Sequence, residues 1–251
     1  SDLGKVVLVT GGAGGIGQAI CRKFAEEGAN VAVHFYTSSE EAESLAKEIG
    51  GLAVRADLRV PSQADEMVAE VISKMGNIDV CVANSGSYPT EPKPMWEIDE
   101  ERWNSTIMSN LGVAANTSRS FLSHASSRGS GSLVLVGSTA GVYGEAGHSD
   151  YAAAKGAITT GLLLSLKNEV SHLGSVRVNA VAPGWTLTQK KVETGLDEGV
   201  MERAKSTMAL KKLATPNDVA MAIIYLSSEE VAGHITGEVI EVAGGMEGRL
   251  V

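Results

Sequence analysis

Cations are the minority charge in this chain: Lys and Arg total 21 against 30 Asp and Glu, a formal net charge of −9. Phosphate backbones and anionic membranes bind through clustered cations, so this balance argues against both as partners and leaves room only for a local pocket for one phosphate group. Cysteine is scarce as well. Cys21 and Cys81 each sit inside an apolar stretch and read as small buried hydrophobes. No CxxC or Cys/His ligand spacing is present, so a structural zinc is not expected. Aromatics make up only 4% of a 43% hydrophobic composition, which points to a core of Val, Ile, Leu and Ala. No apolar run approaches the roughly eighteen residues of a membrane span. Residues 1–5 carry no signal-peptide core, and the expected location is cytoplasmic. Six prolines against 29 glycines indicate tight turns and close backbone approaches, not a disordered low-complexity chain.

Short apolar runs alternate with longer helical patterns almost from end to end. Residues 5–10 (KVVLVT) are a β-branched run stopping at a glycine cluster, the pattern of a buried strand. Residues 16–27 place Ile16, Ile20 and Phe24 at helical spacing and end at Gly28. Further strands are expected at 30–35, 52–55, 78–83, 132–136, 176–182 and 238–242. Helices are expected at 62–74, 100–124 and 151–173, and from Thr215-Pro216 to about 227. Ser38 with Glu41 reads as a capping box for a helix reaching residue 49. Thr215 with Asp218 marks another start. Seven strands separated by helices, with no linker and no repeat, imply one α/β domain over 1–251. Its parallel sheet is doubly wound by right-handed crossovers, with helices on both faces. Ligands of such sheets bind beyond the carboxyl ends of the strands, so the loops after strands are where chemistry is expected.

The loop after the first strand reads TGGAGGIG over residues 10–17. Glycines there let the backbone turn sharply and approach a pyrophosphate, while the next helix offers its positive end. Because it follows a strand and opens a helix, it reads as a dinucleotide-binding loop. A second segment, 137–155, carries Ser138 just after a strand and Tyr151 and Lys155 at i, i+4 on one helix face. A tyrosine exchanging protons near neutral pH needs its phenol lowered by about three pKa units, roughly 4 kcal/mol of phenolate stabilisation. A neighbouring ammonium and a positively charged nicotinamide supply such stabilisation, and Ser138 would hold the substrate oxygen for the proton transfer.

With these motifs the chain resembles the short-chain dehydrogenase/reductase family over nearly its full length. The resemblance rests on the glycine loop, on Ala83-Asn84-Ser85-Gly86, on Asn110, Ser138 and Tyr151-Ala-Ala-Ala-Lys155, and on Asn179-Ala-Val-Ala-Pro183-Gly184. Thr236-Gly237 and Gly244-Gly245 complete it. It implies the family's Rossmann fold and a catalytic tetrad of Asn110, Ser138, Tyr151 and Lys155. In that tetrad Tyr151 is the acid/base, Ser138 orients substrate, Lys155 contacts the ribose and tunes Tyr151, and Asn110 supports a proton-relay water. It also implies cofactor contacts at Gly11, Gly15, Ile16 and Gly17, at Asp57 and Leu58 for the adenine, at Asn84, Ser85 and Gly86, and at Pro183, Gly184, Thr186 and Thr188 for the nicotinamide carboxamide. Ser85 stands where the family usually has Ala.

NAD users of the family place an acidic residue at the end of the second strand. Here that stretch is Phe35, Tyr36, Thr37 and Ser38, with no carboxylate to repel a 2′-phosphate and three hydroxyls to bind it. NADP(H) is therefore favoured over NAD(H), although the loop Gly12-Ala13-Gly14 lacks the Arg or Lys of many NADP users. Segments 151–156 and 208–245 are most similar to the 3-oxoacyl-carrier-protein reductase branch, which implies reduction of a ketone to a secondary alcohol on a free or a carrier-protein-bound substrate, the carrier docking through cations such as Arg128. The usual docking Arg in the helix after Tyr151 is Asn168 here, beside Lys167. Residues 185–210 follow a carboxyl-end loop and are expected to form the substrate lid, with Trp185 a candidate wall of the pocket. His148 is expected to occupy a loop. The alternatives are a sugar, polyol or hydroxysteroid dehydrogenase working oxidatively, or a non-catalytic cofactor sensor. The latter would be expected to have lost Tyr151 or Lys155. The family resemblance also implies a homotetramer built on helices 100–124 and 151–173.

Overall fold

In a computed structural model the chain is described at residues 4–188, 192 and 198–246. Its seven strands are β1 (Val6–Val9), β2 (Asn30–Phe35), β3 (Leu52–Arg55), β4 (Val80–Ala83), β5 (Ser130–Val136), β6 (Ser175–Pro183) and β7 (Val239–Val242). They form one all-parallel sheet in the order β3-β2-β1-β4-β5-β6-β7. Alternate side chains of each strand feed opposite faces. Val6 and Leu8 of β1 join Met67, Phe121 and Leu163 in one core, whereas Val7 and Val9 join Ile20, Phe24, Leu45 and Ile223 in the other. Both faces of the strands are covered, and so they read as continuous apolar runs instead of alternating ones. The chain winds outward one way through β2 and β3 and the other way through β4 to β7, so the switch point lies between β1 and β4. The loops that leave the carboxyl ends of those two strands open there into a cleft.

The helices that matter to the cleft are α1 (Gly15–Glu26), α2 (Ser39–Ile49), α3 (Pro61–Met75), α4 (Glu100–Ile107) and α5 (Val113–Arg128). They continue with α6 (Thr139–Tyr143), α7 (Ser149–Ala157), α8 (Leu163–Glu169), α9 (Glu198–Ser206) and α10 (Pro216–Ser227). The two long helices expected from the sequence are each interrupted by a π-helical turn, at Met108–Gly112 and Ile158–Leu162. Around these turns side chains also bond to backbone carbonyls. Asn110 Nδ2 donates to the Thr106 carbonyl at 3.0 Å, and Thr159 and Thr160 hydroxyls donate to the Lys155 and Gly156 carbonyls.

One expected capping box forms and the other does not. Thr215 and Asp218 exchange both bonds at the start of α10. Ser38 precedes α2 as expected, yet its hydroxyl makes no capping bond, so the Ser38/Glu41 box is corrected to a bare N-terminus. Both cysteines are buried, and burial pushes the Cys21 thiol up to about 12. Among the described residues no helix is long and apolar enough to cross a membrane.

Candidate active site

Thr10 and Asn84 tie the glycine loop to the loop after β4. The Thr10 hydroxyl accepts from the Asn84 and Ser85 amides at 3.0 and 3.1 Å, and Asn84 Nδ2 donates to the Thr10 and Gly11 carbonyls. A side chain on Gly17 would run into the Gly11 carbonyl, and one on Gly12 would meet Val33 at 2.8 Å. Only glycine lets α1 start this close to the sheet. Gly14 caps α1 with no side chain, and the first turn carries no acidic residue, so its N–H groups are left for an anion. Gly86 is a further close approach, since a Cβ there would lie 2.6 Å from Asn110 Oδ1 and 3.2 Å from Lys155 Nζ. These bare backbone surfaces are what a dinucleotide's pyrophosphate and ribose need, and the residues present fit that group.

Beneath the loop lies a residue that the sequence did not single out. His34 Nδ1 accepts from the Gly11 amide at 3.0 Å, and His34 Nε2 lies 3.1 Å from the Ala56 carbonyl. A carbonyl only accepts, so Nε2 carries the proton and the ring is neutral. Burial pushes its pKa from 6.5 down to about 4. Between those values the unfolded chain binds a proton that the folded chain refuses. This contribution is whole above pH 6.5 and is lost as pH falls, by up to about 1.4 kcal/mol per pH unit. Urea titrations from pH 6.5 to 4 should show a steeper acid loss for the wild type than for His34→Asn; equal slopes would mean that the ring is not held neutral.

The four residues of the expected tetrad gather on one wall of the same cleft, about 930 Å³ in volume. Ser138 leaves β5 as the N-cap of α6, its Oγ 3.2 Å from the Ala140 amide. Lys155 is buried, and its Nζ donates to the Val136 carbonyl at 2.9 Å and lies 5.8 Å from the Tyr151 ring centre. Burial lowers the Lys155 ammonium to about 8, so it is charged at neutral pH. Asn110, fully buried in the π turn, donates to the Ser87 carbonyl at 2.9 Å. Burial raises the Tyr151 phenol, Glu145 adds to the rise, and the Ser138 hydroxyl opposes it. The chain's own residues therefore hold Tyr151 as a proton-bearing phenol.

Every residue expected to contact cofactor also lines this cleft. At the amino end of α1 these are Gly11, Gly15, Ile16 and Gly17; after β2, Phe35, Tyr36, Thr37 and Ser38; after β3, Asp57 and Leu58; after β4, Asn84, Ser85 and Gly86. After β6 come Pro183, Gly184, Thr186 and Thr188, and Trp185 is in the wall. The lid segment 185–210 falls partly outside the described residues, and its far half contains α9. Arg128 precedes β5 and so sits at the opposite end of the sheet from the cleft of its own chain, bonded to the Ile78 carbonyl and Asp79. His148 occupies the loop just before α7, as expected, and there its ring is buried and stacked on Tyr88 at 4.5 Å. Tyr88, Glu145 and Arg59 line the cleft without having been foreseen.

Comparison with known proteins identifies the family. The family model described as short chain dehydrogenase matches residues 5–199. The 3-oxoacyl-[acyl-carrier-protein] reductase of Thermotoga maritima is 36% identical over 252 residues, covering 97% of this chain and 98% of that protein. The reductase of the same name from Staphylococcus epidermidis is 31% identical, covering 97% and 99%. Nodulation protein G of Azospirillum brasilense is 30% identical, covering 96% and 98%. The chain is an oxidoreductase acting between CH–OH and ketone groups, and it belongs to the short-chain dehydrogenase/reductase family.

Proposed function

We propose that this enzyme reduces a 3-oxoacyl thioester, or a related β-keto ester, to the secondary alcohol with NADP(H), and that Tyr151 delivers the proton. The observation that carries the reading is the convergence of Tyr151, Ser138, Lys155 and Asn110 on one wall of the cleft that begins at the glycine loop. When bound, the nicotinamide supplies the hydride. Ser138 Oγ and Tyr151 Oη bind the carbonyl oxygen between them, and the phenol, kept protonated by burial, gives up its proton as the oxygen becomes an alkoxide. The buried Lys155 ammonium stabilises the phenolate left behind. Asn110 holds the Ser87 carbonyl and the π turn in place for resupply of the proton through water.

The relatives named as carrier-protein reductases support the thioester as substrate. The test is a comparison of rates with a 3-oxoacyl thioester on carrier protein, the same acyl group on a small thiol, and a panel of polyols with NADP+. Turnover confined to the polyols would replace this reading with an oxidative one.

Preference for NADP(H) draws support from Arg59. Its guanidinium reaches Asp57 at 2.7 and 2.8 Å and the Tyr36 hydroxyl at 3.1 Å, and lies 5.1 Å from the Tyr36 ring centre. It supplies from the β3 loop the cation that the glycine loop lacks. Ser38, whose hydroxyl makes no capping bond, also lines the cleft, whereas Glu40 and Glu41 of the first turn of α2 do not. Arg59→Ala should weaken NADPH about tenfold, the worth of one charge-assisted bond, and leave NADH within about twofold. Equal losses for both cofactors, read from KM, would place the 2′-phosphate elsewhere. A cytoplasmic homotetramer remains the assembly we propose; Met108 and Leu164, on the two helices concerned, are exposed.

A further inference from the structure

Glu145 stands in the wall of the cleft that holds Tyr151, with its side chain 30% exposed. It is anchored by one oxygen only. The Tyr88 hydroxyl donates to Oε1 at 2.6 Å, while His148 Nδ1 lies 3.8 Å away. The clamp is itself rigid. The Tyr88 ring stacks on His148 at 4.5 Å and meets the Tyr151 ring edge-on at 5.0 Å. His148 Nε2 is fixed 3.0 Å from the Pro89 carbonyl. Among the described residues no Lys or Arg pairs with Glu145, and none donates to its second oxygen.

This carboxylate has no part in the proton transfer and works against it, because its charge opposes ionisation of the Tyr151 phenol. A half-buried anion with a rigid clamp, a free oxygen and a place beside the reacting centre is a recognition group.

We propose that Glu145, clamped by Tyr88, determines substrate specificity: its free oxygen accepts a hydrogen bond from a neutral donor, an amide N–H or hydroxyl, on the arm of the β-keto substrate, and its charge turns away substrates that end in a carboxylate. This rests on the ketone-reductase reading and narrows it from β-keto compounds in general to neutral esters or thioesters whose arm carries a donor. The amide of a thiol arm is one such donor.

The test separates binding from turnover. The unaltered enzyme and the variants Glu145→Gln and Tyr88→Phe are loaded with NADP+, which permits binding of a ketone but not its reduction. Tryptophan quenching, with Trp185 in the wall, then gives affinities for three probes: the N-acetylcysteamine thioester of acetoacetate, its S-pentyl thioester without the amide, and acetoacetate itself. The unaltered enzyme should prefer the amide-bearing probe about tenfold over the S-pentyl one and bind acetoacetate weakest. Glu145→Gln should shrink both differences several-fold. Tyr88→Phe, which keeps the charge and frees the clamp, should lower the amide preference while acetoacetate stays excluded. Unchanged ratios in both variants would overturn the proposal. Turnover with NADPH is read in parallel on the same probes: binding without reduction would strike the reductase reading, while the affinity ratios still decide the role of Glu145.

Discussion

Tyr151→Phe should lower the rate of ketone reduction by roughly 10³-fold, within the 10²–10⁴ range of a positioned proton donor, with cofactor affinity and melting temperature close to unaltered. The phenol lies in a wall already shaped by the Tyr88 ring edge and the buried Lys155, so removing one oxygen leaves the packing in place. What is lost is the proton that the carbonyl oxygen needs as it gains negative charge. The loss should fall on kcat more than on KM, because the Ser138 hydroxyl remains to bind the oxygen. Steady-state rates with NADPH and a small β-ketoester measure it. Retention of more than a tenth of the rate would assign the proton to another group.

Arg102→Met should be the most damaging change to stability outside the sheet. Asp150, next to Tyr151, is fully enclosed, and Arg102 Nε meets its carboxylate at 2.9 Å. Burial alone would raise the Asp150 pKa, but the Arg102 bond, the Tyr151 amide and the Thr106 hydroxyl outweigh it and hold the carboxyl below its usual value. The same guanidinium donates to the Glu91 carbonyl at 2.7 Å and the Gly147 carbonyl at 3.3 Å, fastening the loops around the cleft to α4. Removing it leaves a buried, unpaired carboxylate, at a cost of roughly 3–5 kcal/mol. For a chain of this length that is a fall of about 10 °C in Tm near neutral pH. The gap should narrow on acidification. The wild type loses the pair's contribution as pH falls through the lowered Asp150 pKa, whereas the variant is relieved as its carboxyl becomes neutral. Calorimetry at neutral and acid pH reads both; a gap that widens in acid would contradict this account.

The fold was legible because its code is local. A β-branched run such as 5–10 and a 3.6-residue spacing such as Ile16, Ile20 and Phe24 each name their own element, and alternation of the two forces parallel strands. That Tyr151, Lys155 and Ser138 share one cleft was legible for the same reason, since they are set by one strand, one loop and one helix turn. Tyr88 and Glu145 were not, being 57 positions apart and joined only by the convergence of the loops after β4 and β5. His34 was hidden inside a strand whose pattern explained it as core. The π turn at Asn110 shifts the helix register by one residue locally, which periodicity does not record.

The most direct measurement is the initial rate of NADPH and NADH oxidation, in parallel, by the wild-type enzyme with a small β-ketoester. The account predicts rapid oxidation of NADPH, slower oxidation of NADH, and recovery of the 3-hydroxy ester. No oxidation of either, with cofactor demonstrably bound, would contradict it.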